Sequence, residues 1–148
     1  MVLPRFIDLP PVWLAGCVIL AWIIGAVLPL GLPLGEGIGA LLVLAGIGLM
    51  VWAVVEMQRA RTTVIPHRVP DALVDTGPFA LSRNPIYLGD LLVLAGLCLR
   101  WDALLALPLV WGLMKVLTDR FILPEEGRLA DTFGTDFQLY SARVARWI

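Results

Sequence analysis

Histidine is nearly absent from this chain, which carries His67 and no other, and cysteine is scarce, with only Cys17 and Cys98. One imidazole cannot build a histidine-based metal site alone. Both cysteines lie in apolar runs without a CxxC spacing, so they read as small buried hydrophobes rather than a disulfide or a metal pair. No metal site is expected. Charge is also thin. Charged residues make up 16% of the chain and the net charge is -1, which gives no electrostatic footing for nucleic acid. The first apolar run follows a single basic residue, Arg5, and ends without a convincing cleavage site. It reads as a retained helix rather than a signal peptide. No short internal repeat is visible.

What is abundant is apolar sequence. Hydrophobic residues reach 59% and mean hydropathy is +0.88, against about 45–50% apolar in a soluble domain. The excess comes in long blocks, so the expected fold is an all-α integral membrane protein built as a single membrane domain, 1–148. Four spans are predicted, at about 11–30, 37–56, 85–100 and 103–123, paired in sequence as two hairpins. "GLPLG" at 31–35 is the first turn, with proline and glycine as breakers. Gly35, Gly39, Gly46 and Gly48 would let helices approach closely, either within the molecule or in a dimer. Pro108 is expected to kink the fourth helix. The polar stretch 57–84 is too long for a plain connector and is expected to fold against the membrane face. In the tail, 124–148, Phe137, Tyr140, Val144 and Trp147 share one helical face, which predicts an amphipathic helix at the interface or docked on the core. Arg59, Arg61, Arg68 and Arg83 lie in the long loop, and Arg120, Arg128, Arg143 and Arg146 in or near the tail. The first turn has no lysine or arginine and the second only Arg100. The positive-inside rule then puts both termini and the long loop in the cytoplasm.

This topology gathers the chemistry-bearing side chains at one membrane face. Each has a plain reading beside the functional one. Arg83 has a guanidinium fork that fits a carboxylate, or it snorkels to the headgroups. Asn84 and Pro85 make a good helix start by local rules. Tyr87 stands one turn in, where aromatic belts sit. Glu125 and Glu126 suit the first turn of a helix, where they would complement the macrodipole, or they grip a ribose diol, an ammonium or a sulfonium. Asp90 lies one turn inside the third span, where ionisable residues usually face the protein interior. His67 is a candidate proton handler or an ordinary loop histidine. Arg143 and Arg146 would steer an anionic head or hold anionic lipid.

The order of these residues says more than any one of them. "GPFALSRNPIYLGDLLVLAG", an apolar stretch, and then "EEGRLADTFGTDFQLYSARVARW" resembles the isoprenylcysteine carboxyl methyltransferase and phospholipid methyltransferase superfamily of small membrane enzymes. Gly77, Pro78, Phe79, Arg83, Asn84, Pro85, Tyr87 and Gly89 match the first half of the pattern. Glu125, Glu126, Leu129, Phe133, Gly134, Phe137 and Tyr140 match the second. The likeness covers roughly residues 58–148, and "TTVIPHRVPDALVDTGPF" is similar to the upstream loop of bacterial members. The resemblance implies S-adenosylmethionine as cofactor, held by Gly77, Arg83, Asn84, Pro85, Tyr87, Glu125, Glu126 and Tyr140. It implies Arg83, Glu125 and His67 as catalytic candidates. It also implies a lipophilic or lipid-modified acceptor, contact with membrane lipids, and the inner or plasma membrane of a prokaryote. Many members have histidine where this chain has Asn84, so an acid–base role at that position is not available here.

Three other readings compete. A small multidrug transporter needs a carboxylate deep in its first helix, and 10–30 has none. An NADPH-dependent sterol-type reductase shares a related membrane architecture and would use Arg59, Arg61 and Arg68 for the 2'-phosphate. A non-catalytic assembly or lipid-binding protein would have no need to keep Arg83, Glu125 and Glu126. The acceptor, whether carboxylate, amine or thiol, and the oligomeric state are left open by the sequence.

Overall fold

The computed structural model describes residues 8–62 and 70–148. Helix α1 spans Pro10–Val27 and α2 spans Gly35–Arg59. A short 3-10 turn at Gly77–Ala80 leads into α3, Pro85–Arg100. After a second 3-10 turn at Leu104–Ala106 come α4, Pro108–Leu117, a π turn at Thr118–Ile122, and α5, Leu123–Phe133. Helix α6, Thr135–Arg143, follows Gly134. No strand occurs among the described residues, only an isolated bridge between Leu30 and Ala103.

Helices α1 and α2 are long and apolar enough to cross a membrane, with mean hydropathies of 2.0 and 2.6. Both turn most of their surface outward. Ile19, Trp22, Leu41, Leu44 and Trp52 are all exposed, as hydrocarbon-facing positions are in a membrane protein. Their inner faces are small: Ala21 and Gly25 in α1, Gly39, Gly46 and Ala53 in α2.

Those small residues decide which helices meet. α3 is the centre of the layer. It packs on α2 along one side, and on α1 and α4 along the other. The expected hairpin of the first two helices is therefore not a packed pair; α1 meets α3 and α4 instead. The physical reason lies in four glycines. A Cβ on Gly46 would stand 2.7 Å from the Gly89 carbonyl oxygen, and one on Gly89 2.8 Å from that of Gly46. Gly39 and Gly96 oppose each other in the same way. Seven residues separate the two glycines on each helix, so both lie on one face two turns apart. Gly39 and Gly46 thus serve packing within the molecule, whereas Gly48 has open space around it.

The fourth helix also departs from expectation. Pro108 starts it instead of kinking it, occupying the first turn where its missing N–H costs nothing. The irregularity comes later. Pro124 has no N–H to offer, and its ring would strike the carbonyl one turn back in a regular helix. The backbone widens just ahead of it, and the Leu123 N–H bonds the Thr118 carbonyl. The helix then runs on through the "tail" to Phe133. Gly134, with φ 51, turns the chain into α6.

Helix α6 docks on the protein. Phe137, Tyr140 and Val144 are buried against Leu73, Leu129 and Phe133. Of the four residues expected on one face, Trp147 goes elsewhere and packs against the main core cluster.

Candidate active site

The start of α3 is built by what precedes and what overlies it. Pro85 holds the first helical position, and the Asn84 carbonyl accepts from the Leu88 N–H at 2.9 Å. The Asn84 side chain does not cap the helix. Its Nδ2 donates to the Arg146 carbonyl at 3.0 Å. The buried Ser82 hydroxyl accepts from the Asn84 N–H at 3.1 Å and donates to the same Arg146 carbonyl at 3.3 Å. The Arg83 N–H reaches the Ala145 carbonyl at 3.0 Å. The C-terminal residues are thereby laced to the head of α3.

Charge completes the lacing. Glu126 receives Arg83 Nη1 at 3.1 Å, and Arg146 Nε and Nη2 at 3.0 and 2.8 Å. The Arg146 contact is a two-point fork, the stronger form of such a pair. The bond to Glu126 raises the pKa of the Arg146 guanidinium further. Arg83 is held on one side by Glu126, and its buried Nε has no hydrogen-bond partner among the described residues. A buried donor left over in this way calls for an explanation, and an anionic ligand group is one.

These residues border a cavity of about 360 Å³, within the range of small-molecule sites, about 300–1,000 Å³. Arg83, Asn84, Tyr87, Asp90, Glu125 and Tyr140 give its wall polar groups. Pro10, Met50, Met57, Ile86 and Leu129 give it an apolar side. Segment 70–74 covers it, and Phe79 closes a corner where its carbonyl accepts from the Tyr140 hydroxyl at 2.7 Å. Burial raises the pKa of the Tyr140 phenol, so it stays protonated. Burial likewise pushes Glu125 above the usual glutamate range, and the nearby Arg128 charge opposes this.

Of the residues predicted to bind the cofactor, Arg83, Asn84, Pro85, Tyr87, Glu125 and Tyr140 line this one cavity. Glu126 stands behind the wall and grips the two arginines. Gly77 also lies outside the wall. With φ 58 it turns beside Glu56, whose carboxylate a Cβ would crowd at 3.1 Å. His67 lies outside the described residues. The helix-start reading of Glu125 and Glu126 loses its footing, because α5 continues from the π turn and offers no free N-terminus. Arg143 pairs with Asp75 at 2.8 Å in an exposed contact, and Arg146 pairs with Glu126 at 2.8 Å.

Asp8 stands in no motif and takes a role only in the fold. Its carboxylate takes Arg120 Nε and Nη2 at 3.0 and 2.7 Å and the Trp13 indole N–H at 3.0 Å. Arg120 lies over the Trp13 ring, 5.4 Å from its centroid. This joint ties the entrance of α1 to the π turn. No local motif marks it, since 112 residues separate its ends.

The profile of the phospholipid methyltransferase family matches residues 36–136. The chain belongs to that family. The match runs from the start of α2 to the start of α6 and takes in Arg83, Asp90, Glu125 and Glu126. Family membership makes the chain a membrane methyltransferase of the isoprenylcysteine and phospholipid methyltransferase superfamily. No curated protein and no solved structure matches the chain. Of the basic residues of the rival reductase reading, Arg59 and Arg61 do not line the cavity, and Arg68 lies outside the described residues. Arg59 leans toward Glu56 at 3.8 Å, and Arg83 is the one basic side chain among the described residues of the wall.

Proposed function

We propose that the chain is an S-adenosylmethionine-dependent methyltransferase acting at the membrane–water interface on a lipophilic acceptor. The observation that carries the reading is the cavity itself. It sits at the end of an apolar helix layer, and the residues the family pattern singles out meet in its wall.

The donor set suits the cofactor. Arg83, with a donor to spare, is the residue to hold the cofactor's carboxylate. Glu125, in the wall without an ion-pair partner among the described residues, is the residue to accept from a ribose diol or an ammonium. Glu126 acts through the arginines and fixes where Arg83 points. Tyr87 and Tyr140 form the walls, with Pro70, Ala72, Leu73 and Val74 of the segment after the long loop beside them. When bound, S-adenosylmethionine supplies an already activated methyl group. The protein's share is therefore positioning and desolvation.

In this proposal α3 and the 103–123 stretch also cross the bilayer, alongside α1 and α2, and the tail from 124 on is cytoplasmic. The arginine-rich loop end is then cytoplasmic, in the inner or plasma membrane of a prokaryote. The acceptor enters from the lipid with its apolar tail between helices. Titration of the detergent-purified protein with S-adenosylmethionine and, in parallel, NADPH tests the reading. Binding of the first alone supports it. Binding of NADPH alone makes the protein a reductase.

A further inference from the structure

Glu126 serves two arginines with one carboxylate, and the two do not share it evenly. Arg146 reaches both oxygens, Nε to Oε1 at 3.0 Å and Nη2 to Oε2 at 2.8 Å. Arg83 reaches only Oε1, through Nη1 at 3.1 Å. The buried Arg83 Nε has no hydrogen-bond partner among the described residues. Arg83 lines the cavity and its side chain is 14% exposed, whereas Arg146 is not part of the wall and is 36% exposed. The Arg146 grip is nonetheless built in. Its carbonyl accepts from Asn84 Nδ2 at 3.0 Å and from the Ser82 hydroxyl at 3.3 Å, and the Ala145 carbonyl accepts from the Arg83 N–H at 3.0 Å. Val144 is buried on one side of this stretch, and Trp147 packs against the main core on the other. With the backbone pinned at both flanks, Arg146 gives up little freedom to hold Glu126, unlike an ordinary surface pair.

We infer that Arg146 is a positioning residue for the donor site: by filling both oxygens of Glu126 it denies Arg83 a two-point pair of its own and keeps the Arg83 guanidinium available to a carboxylate ligand. The inference rests on the methyltransferase reading and deepens it. A two-point arginine–carboxylate pair is stronger than a single contact. Without the Arg146 side chain, Glu126 has an oxygen to offer, and the poorly hydrated Arg83 turns onto it. That turn takes the guanidinium out of the setting in which it lines the cavity. The charge count of the three side chains changes as well. Two guanidiniums and one carboxylate leave one positive charge over, which an incoming carboxylate neutralises. One of each leaves none. Arg146 itself touches no ligand in this account and acts through Glu126.

The test compares two ligands by calorimetry on the full chain in detergent. One is S-adenosylmethionine. The other is its decarboxylated analogue, which keeps the sulfonium, the ammonium, the ribose and the adenine. Wild type is expected to bind the first more tightly. Arg146→Met leaves the backbone bonds of residue 146 in place. It is expected to lose roughly tenfold or more in S-adenosylmethionine affinity, the worth of one hydrogen bond to a charged group. The analogue has no carboxylate for Arg83 to hold, so the variant should bind it within about twofold of wild type. Retained analogue binding also reports a folded pocket. Equal loss for both ligands makes the role of Arg146 structural and overturns the inference, and so does wild-type affinity of the variant for S-adenosylmethionine. If Arg146→Met does not fold, Arg146→Lys, which keeps the charge but not the two-point grip, is read by the same criteria. Wild type that binds the analogue as tightly as S-adenosylmethionine, or more so, overturns the inference and leaves the methyltransferase reading standing. Wild type that binds neither ends that reading itself.

Discussion

The two ends of the helix layer are built on different terms. At the turn end, the Leu30 N–H donates to the Asp102 carbonyl at 2.6 Å and the Leu104 N–H to the Leu30 carbonyl at 3.1 Å. Gly31 leaves room for the Asp102 side chain. The one ion pair there among the described residues, Arg100 with Glu36 at 3.6 Å, is exposed. At the loop end, side chains do most of the joining, beside one main-chain bond from Arg83 to Ala145, and contacts span long stretches of sequence. Glu126 holds two arginines, Asn84 and Ser82 hold the C-terminal backbone, and Asp8 holds Arg120. Main-chain zippers close the turn end with nothing to spare. The side-chain lattice at the loop end leaves a cavity whose wall holds, among the described residues, an aspartate and a glutamate without an ion pair and an arginine Nε without a hydrogen bond. The difference shows where the molecule holds polar groups in reserve for a ligand.

The contrast can be broken hardest at Glu126. Glu126→Ala strands Arg83 at the cavity wall and releases Arg146 from its two-point contact. It should cost about 3–5 kcal/mol, the range for removing one partner of a poorly solvated pair, read from thermal unfolding in detergent. Arg83→Ala should remove S-adenosylmethionine binding in calorimetry while the protein stays folded; normal donor affinity would sink the site. Gly96→Leu should destabilise by about 1–3 kcal/mol through overpacking against α2, while Gly48→Leu, in open space, should leave the unfolding midpoint unchanged. Tyr140→Phe gives up one hydrogen bond, to the Phe79 carbonyl, and should cost about 1 kcal/mol. The smallest effect is expected at Glu125. Its folded-state pKa is raised by burial, so the folded protein binds a proton more readily than the unfolded chain between the usual glutamate pKa and the raised one. Stability therefore falls as pH rises through that window. Glu125→Gln should raise the unfolding midpoint at neutral pH, and the gain should vanish below the usual glutamate pKa. Equal midpoints at every pH would show that the burial penalty is absent.

Several site residues were legible one by one and misjudged in role. Asn84 looks like a helix cap because local rules see only the next four residues; its side chain is drawn away by a carbonyl 62 residues on. Glu125 and Glu126 look equivalent in sequence, yet a step of one residue on a helix is a turn of about 100°. One therefore faces the cavity and the other faces the arginines. Pro108 and Pro124 look alike as helix breakers. Only the second sits where the helix is already running, and the backbone answers it with a π turn.

By itself the sequence determined the helices and much of what lines the site. Hydropathy is a sum over neighbours, and the spacing of Arg83, Asn84, Pro85 and Tyr87 is fixed along one turn of backbone. It also determined the family, because the order of the motifs is a property of the string. Tertiary structure alone decided that α1 pairs with α3 and α4 instead of α2, that Asp8 meets Arg120, and that Asp90 and Glu125 face the same cavity. Those outcomes depend on which small faces fit each other across space. Such contacts between distant segments carry no local signal, because their energy comes from close packing and from desolvation that exists only once the helices have met.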